Sequence, residues 1–112
     1  MYDLYQELES KTKALEISIK QLRKSGEEYA QAEKDYKILL RKECLKLRSE
    51  GEAIGMIDKI CYGIPSVADA RFKRDVAKEV LIANKEAINS IKLQLRLIEG
   101  QINREWGKPL SD

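Results

Sequence analysis

The chain has 112 residues, of which 43% are hydrophobic, 36% charged and only 6% aromatic, with a formal net charge of +2. That balance excludes a global field directed at nucleic acid, and it suits long solvated helices better than a compact core. There is no histidine, which removes imidazole acid–base catalysis, Ser-His-Asp and Cys-His arrangements, and most zinc and iron sites.

The opening residues, Met1 to Glu7, lack the basic and apolar regions of a signal peptide. Apolar runs such as Val80–Ala83 span four residues, whereas a membrane helix needs about twenty. A soluble, cytoplasmic protein with no membrane partner is expected.

From Leu4, steps of three or four pass through Leu8, Thr12, Leu15, Ile19, Leu22, Gly26, Tyr29, Glu33, Tyr36, Leu40, Cys44 and Leu47. The mean step is the helical repeat, so Leu4–Leu47 is predicted to be helical. Glu9/Lys13, Glu16/Lys20 and Glu33/Lys37 have the i,i+4 order that supports a helix. Ser25-Gly26 is the weak point, since a mid-helix Gly costs about 1 kcal/mol relative to Ala. A break or kink is expected there, with residues 1–25 as a separate N-terminal arm. Glu27 and Glu28 would suit a fresh helix start.

A joint follows over residues 49–66, punctuated by Gly51, Gly55, Gly63 and Pro65. Ala53, Ile54, Met56, Ile57, Ile60 and Cys61 predict one short amphipathic helix within it. Tyr62 to Ser66 then reads as a stop, a turn and a new start, with Ser66 as N-cap and Asp69 completing a variant capping box.

The second long helix is predicted over Val67–Trp106, with a seam of Val67, Ala70, Val76, Val80, Asn84, Ala87, Ile91, Leu95, Ile98, Ile102 and Trp106. Asn84 reads either as a register-fixing polar residue or as a seam edge. Ile91–Leu97 alternates like a strand, but its flanks make it helix. Leu93 and Leu97 then leave the seam, either as a further packing surface or as ordinary exposed residues. Gly107 and Pro109 end the helix.

The fold class expected is all-α: one domain over residues 1–112, an elongated hairpin of two long helices joined by a short helix and Gly-rich turns. Neither long helix can bury its apolar face alone, so a homo-oligomeric bundle is expected. Its seam is Leu40, Leu47, Val80, Asn84, Ile91, Leu95, Ile98 and Ile102.

Chemistry is sparse. Cys44 and Cys61 are seventeen residues apart, outside CxxC spacing, and read as reduced, buried thiols. No phosphate-cradling glycine motif is present. The carboxylates sit mostly beside Lys or Arg, so no metal site or cofactor is expected, and no enzyme.

Binding chemistry is richer. Lys37, Arg41, Lys42, Lys46 and Arg48 close the first long helix, and Arg71, Lys73, Arg74 and Lys78 open the second. A hairpin brings both clusters to one end. Arg41, Arg48, Arg71, Lys73 and Arg74 form the candidate anion site, because guanidinium contacts two phosphate oxygens at once. Tyr36, Tyr62 and Phe72 are the candidates for stacking on a base. The same charges also read as a solvated face balanced by Glu43, Glu50, Asp69, Asp75 and Glu79. A helix-turn-helix, with Glu52–Tyr62, a turn at Gly63 and Ser66–Arg74 as recognition helix, is a poor match: Lys59 and Asp69 fall where small or interior residues belong.

Five segments carry a resemblance: Glu27–Tyr36, Leu47–Gly51, Val67–Glu79, Ala83–Lys92 and Asn103–Gly107. Together they resemble short all-helical proteins of unassigned function from tailed phages and prophages of Gram-positive bacteria. The resemblance covers residues 27–107 and leaves out the first arm. It implies a phage origin and action in the cytoplasm of the infected cell, and it implies no activity. By analogy with small non-enzymatic phage proteins, the expected function is capture of an anionic ligand, a nucleotide signal or nucleic acid, to counteract bacterial defence. The alternatives are an inhibitor or adaptor that grips a host or CRISPR-type defence protein through Leu93 and Leu97, a DNA-binding protein, and a phage assembly component.

Overall fold

The structure, a computed structural model, describes residues 3–106. Three helices follow one another: α1 over Leu4–Ser49, α2 over Ile54–Cys61 and α3 over Pro65–Trp106. There is no strand among the described residues, so the alternating Ile91–Leu97 stretch is helix. No helix among them is long and apolar enough to cross a membrane. The fold is an all-α helical hairpin. The expected stop at Gly107 and Pro109 lies outside the described residues.

Local chemistry explains each boundary. Asp3 caps α1: its carboxylate accepts the Tyr5 N–H at 2.9 Å and its carbonyl accepts the Glu7 N–H. Two of the expected i,i+4 pairs close, Lys13–Glu9 at 3.3 Å and Lys37–Glu33 at 3.6 Å. Helix α1 ends in a Schellman motif, with Gly51 N–H donating to the Arg48 carbonyl and Glu52 N–H to that of Leu47. Gly51 has φ +91°, a left-handed conformation that a side chain would strain. At the start of α3, the Ile64 carbonyl accepts the Ala68 N–H. Ile64 is therefore the N-cap and Pro65 the first helical residue, so the helix starts two places before the expected Ser66 cap would allow. Proline suits that place because its φ is preset and no N–H is needed there.

The expected break at Ser25-Gly26 does not occur, and α1 runs through it as one helix. Neither residue points to open solvent. Ser25 is buried, and a Cβ placed on Gly26 would meet Leu81 Cδ1 at 3.9 Å. That is ordinary contact distance, so Gly26→Ala is expected to stabilise the protein by about 0.5–1 kcal/mol through helix propensity alone. Urea unfolding followed by circular dichroism measures this, and destabilisation would mean the close approach is obligatory.

The chain forms two compact units. One takes the chain up to Arg23 and from Ile82 onward, and the other runs from Lys24 to Leu81. The first unit half-buries Leu8, Leu15 and Leu22 of α1 and buries Ile88 and Ile98 of α3, with Ile91, Leu95 and Ile102 half-buried. Asn84 donates from Nδ2 to the Gln21 carbonyl at 3.4 Å, so its amide engages the backbone of α1 within this unit.

In the second unit, Tyr36, Cys61 and Val67 are buried among Leu39, Leu40, Cys44, Leu47, Ile64 and Ala70. Three helices meet in that cluster, to which α2 contributes Cys61; Ile57 of α2 is buried as well. The inward face of α3 differs from the expected seam. After Ala70 it runs through Arg74, Ala77, Leu81, Asn84 and Ile88, while Val76, Val80, Ala87 and Trp106 are exposed. A charged residue stands where the repeat demands an inward one, so the expected seam moved off to the neighbouring valines. On α1, likewise, Ser18 faces inward and Ile19 outward.

Candidate functional site

The five basic candidates do not share one surface. Arg41 and Arg48 do meet: seven residues apart on α1, they line one cleft of about 340 Å³. Cys44 and Leu45 complete its α1 wall, and Ile54, Ile57 and Asp58 of α2 face them. Both arginines are exposed. Neither forms an ion pair among the described residues. Two cations against one carboxylate, above an apolar wall, leave the cleft receptive to an anion with an apolar part.

Lys73 lies elsewhere. It lines a second cleft, of about 420 Å³, together with Glu28, Asp35 and Asp69. Three carboxylates to one ammonium would repel an anion, so Lys73 does not belong to the anion site. Gln31 also donates to Asp35 there, at 2.8 Å.

Arg74 is engaged in the fold itself. Its guanidinium carbon sits 4.5 Å from the centre of the Tyr36 ring. Its Nε and Nη2 both donate to Asp75 Oδ1, at 3.1 and 2.9 Å. Chiefly through that hydrogen bond, the guanidinium holds its proton even more tightly than usual. Tyr36 is only 6% exposed and carries Arg74 on its ring, so it offers no face to a base. Tyr36 is thus placed as a core residue rather than as the expected stacking platform, and Arg74 is occupied by Tyr36 and Asp75 rather than free for the expected anion contact.

Arg71 stands 5.9 Å over the Tyr62 ring, a looser cation–π contact. Tyr62 and Phe72 are both exposed, so these two candidate aromatics remain available to a ligand. The turn at Gly63 is present, its N–H donating to the Ile60 carbonyl at 3.1 Å. The helix beyond that turn, α3, is 42 residues long, unlike a short reading head.

Cys61 contributes an unexpected titration. Burial first, then the Cys44 thiol and the nearby charges of Glu43 and Asp58, pushes its pKa up from 9.0 to about 11. The folded chain thus holds this proton where the unfolded chain releases it. Stability from Cys61 is intact below pH 9.0 and declines as pH rises towards about 11. The advantage of the wild type over Cys61→Ala in urea should shrink across that interval, and a constant difference would contradict the burial of the thiol.

Sequence reasoning reached Arg41 and Arg48 through their spacing but missed α2 as the opposite wall. The apolar positions Ile54 and Ile57 were visible as an amphipathic helix, but nothing in the sequence said which face of α1 it would cover. Comparison with protein-family models, with curated proteins and with solved structures finds no match.

Proposed function

We propose that the chain is a non-enzymatic, homo-oligomeric binding protein of phage origin that captures an anionic ligand in the cleft of Arg41 and Arg48. The ligand class is a nucleotide signal or a nucleic acid, and the biological purpose is to counteract a bacterial defence. The observation that carries this reading is the pairing, on one wall of an apolar cleft, of two exposed arginines that form no ion pair among the described residues. Leu45, Ile54 and Ile57 supply a surface for a base, while the guanidinium groups take phosphate oxygens. The five resembling segments are the support for phage origin.

Fluorescence polarisation with a labelled dinucleotide and a labelled single-stranded oligonucleotide tests this. A charge-assisted hydrogen bond contributes about 1.5–3 kcal/mol. Arg41→Ala and Arg48→Ala should therefore each weaken binding by about 10- to 100-fold, and Lys73→Ala should leave it unchanged. Steep loss with added salt would mark nucleic acid as the ligand. Equal binding by the wild type and the Arg41→Ala/Arg48→Ala double variant would remove the cleft as the site. Native mass spectrometry of the same samples gives copy number.

A second reading is favoured by Leu93 and Leu97, which are 54% and 63% exposed on α3. Two such leucines one turn apart suit a helical partner protein, consistent with an inhibitor or adaptor acting on a host or CRISPR-type defence protein. That reading expects no nucleotide binding and loss of partner capture in Leu93→Lys/Leu97→Lys.

A further inference from the structure

The two cysteines lie on different helices, yet the fold brings their sulfurs together. Cys44 Sγ stands 3.2 Å from Cys61 Sγ and donates its proton to it. Cys61 in turn directs its own S–H to the Leu40 carbonyl, 3.6 Å away. Both are free thiols, and they differ in access. Cys61 is 0% exposed. Cys44 is half-buried and forms part of the cleft wall that carries Arg41 and Arg48.

We propose that Cys44 and Cys61 form a reversible intrachain disulfide on exposure to a peroxide, with Cys44 reacting first and Cys61 resolving it. The access of each sulfur sets this order. Hydrogen peroxide reaches the half-buried Cys44 through the cleft that it lines, and the sulfur reacts as thiolate. The thiolate attacks one peroxide oxygen, the O–O bond breaks, and the hydroxide released takes up the thiol proton as water. Cys44 is then a sulfenic acid. Cys61 next attacks that sulfur, the S–O bond breaks, and the departing hydroxide takes the Cys61 proton as a second water. One peroxide is reduced to two waters, and two thiols are oxidised to one disulfide.

Burial keeps Cys61 protonated and out of reach of peroxide itself. Its attack therefore waits until Cys44 has been activated beside it. The approach needed is small, from 3.2 Å to the ~2.05 Å of a covalent S–S bond. The product fastens α2 onto α1 across the seventeen-residue interval, and a small thiol reductant reverses it. The inference requires no ligand in the cleft and stands apart from the anion-binding reading.

The test treats the full chain with hydrogen peroxide, counts free thiols after denaturation and maps tryptic peptides. The expected result is simultaneous loss of both thiols in a single chain. One linked product should join Glu43–Lys46 to Ile60–Arg71, and dithiothreitol should restore both thiols. In Cys61→Ser, Cys44 should stop at a sulfenic acid that a cyclic 1,3-dione probe captures. In Cys44→Ser, the Cys61 thiol should survive treatment. Circular dichroism confirms that each variant is folded, and the wild-type peptide map decides the matter should a variant unfold. Disulfides between two chains, or Cys44 carried to sulfinic acid while Cys61 stays reduced, would overturn the proposal.

Discussion

Val67→Asp is expected to unfold the Lys24–Leu81 unit under conditions where the wild type is stable. Val67 is 0% exposed and sits among residues from all three helices, in a cluster with Tyr36 and Cys61. A carboxylate placed there is surrounded by apolar side chains and loses its hydration, and Arg74, the cation beside Tyr36, is already engaged by Asp75. Leaving a buried charge uncompensated costs about 3–5 kcal/mol, a large part of the 5–15 kcal/mol typical of a folded domain. The urea midpoint should collapse or the transition lose cooperativity, while Val67→Ile should stay close to wild type. An unchanged midpoint for the Asp variant would place Val67 at the surface. That outcome would revive the reading in which the start of α3 faces DNA.

Tyr36→Ala should come next in severity, at about 3–5 kcal/mol, as for other large aromatic truncations in cores. Two losses combine. The buried ring leaves a cavity, and Arg74 loses the flat surface 4.5 Å beneath its guanidinium. A cycle of Tyr36→Leu and Arg74→Met separates them, because both replacements keep an apolar stem. A coupling energy of about 0.5–2 kcal/mol is expected from a partly desolvated cation–π pair. Strict additivity would mean that Arg74 rests on Tyr36 without stabilising it.

The hairpin was legible because helical periodicity persists over forty residues on each side of the joint, and no local detail can mask a signal of that length. What was not legible has two physical sources. Propensity places a break at Gly26, but a cost of about 1 kcal/mol is small against the packing of a long helix in which the adjacent Ser25 is buried. Polarity, meanwhile, hid the inward face. Ser18 and Ser25 are small enough to let helices approach, and Arg74 is flat enough to cover a ring, yet all three count as surface residues in any hydropathy pattern.

The candidate site divides on the same lines. Arg41 and Arg48, seven apart, must share a face of α1. Arg71 and Arg74, three apart, also lie on one side of α3, but Lys73 cannot join them, since each residue turns a helix by about 100°. The hairpin accounts for their nearness to the joint, but their side chains go to different surroundings: Arg71 to Tyr62, Lys73 to an acidic cleft and Arg74 to Tyr36. The cysteine contact was invisible for another reason. It depends on α2 folding back over α1, which a Gly-bounded segment of eight residues does not announce.

The division of the chain into two units also sets an order of events in folding. The unit from Lys24 to Leu81 is continuous in sequence, whereas the other is assembled from both remaining parts of the chain. Contacts close in sequence form early because little loop entropy opposes them. The continuous unit can therefore fold as soon as Leu81 has emerged during synthesis. The helix before Lys24 must wait for the residues after Ile82, and until they arrive its apolar stripe is exposed to whatever else is in the cell. That interval is when this chain is most vulnerable to aggregation and most open to pairing with a second nascent copy.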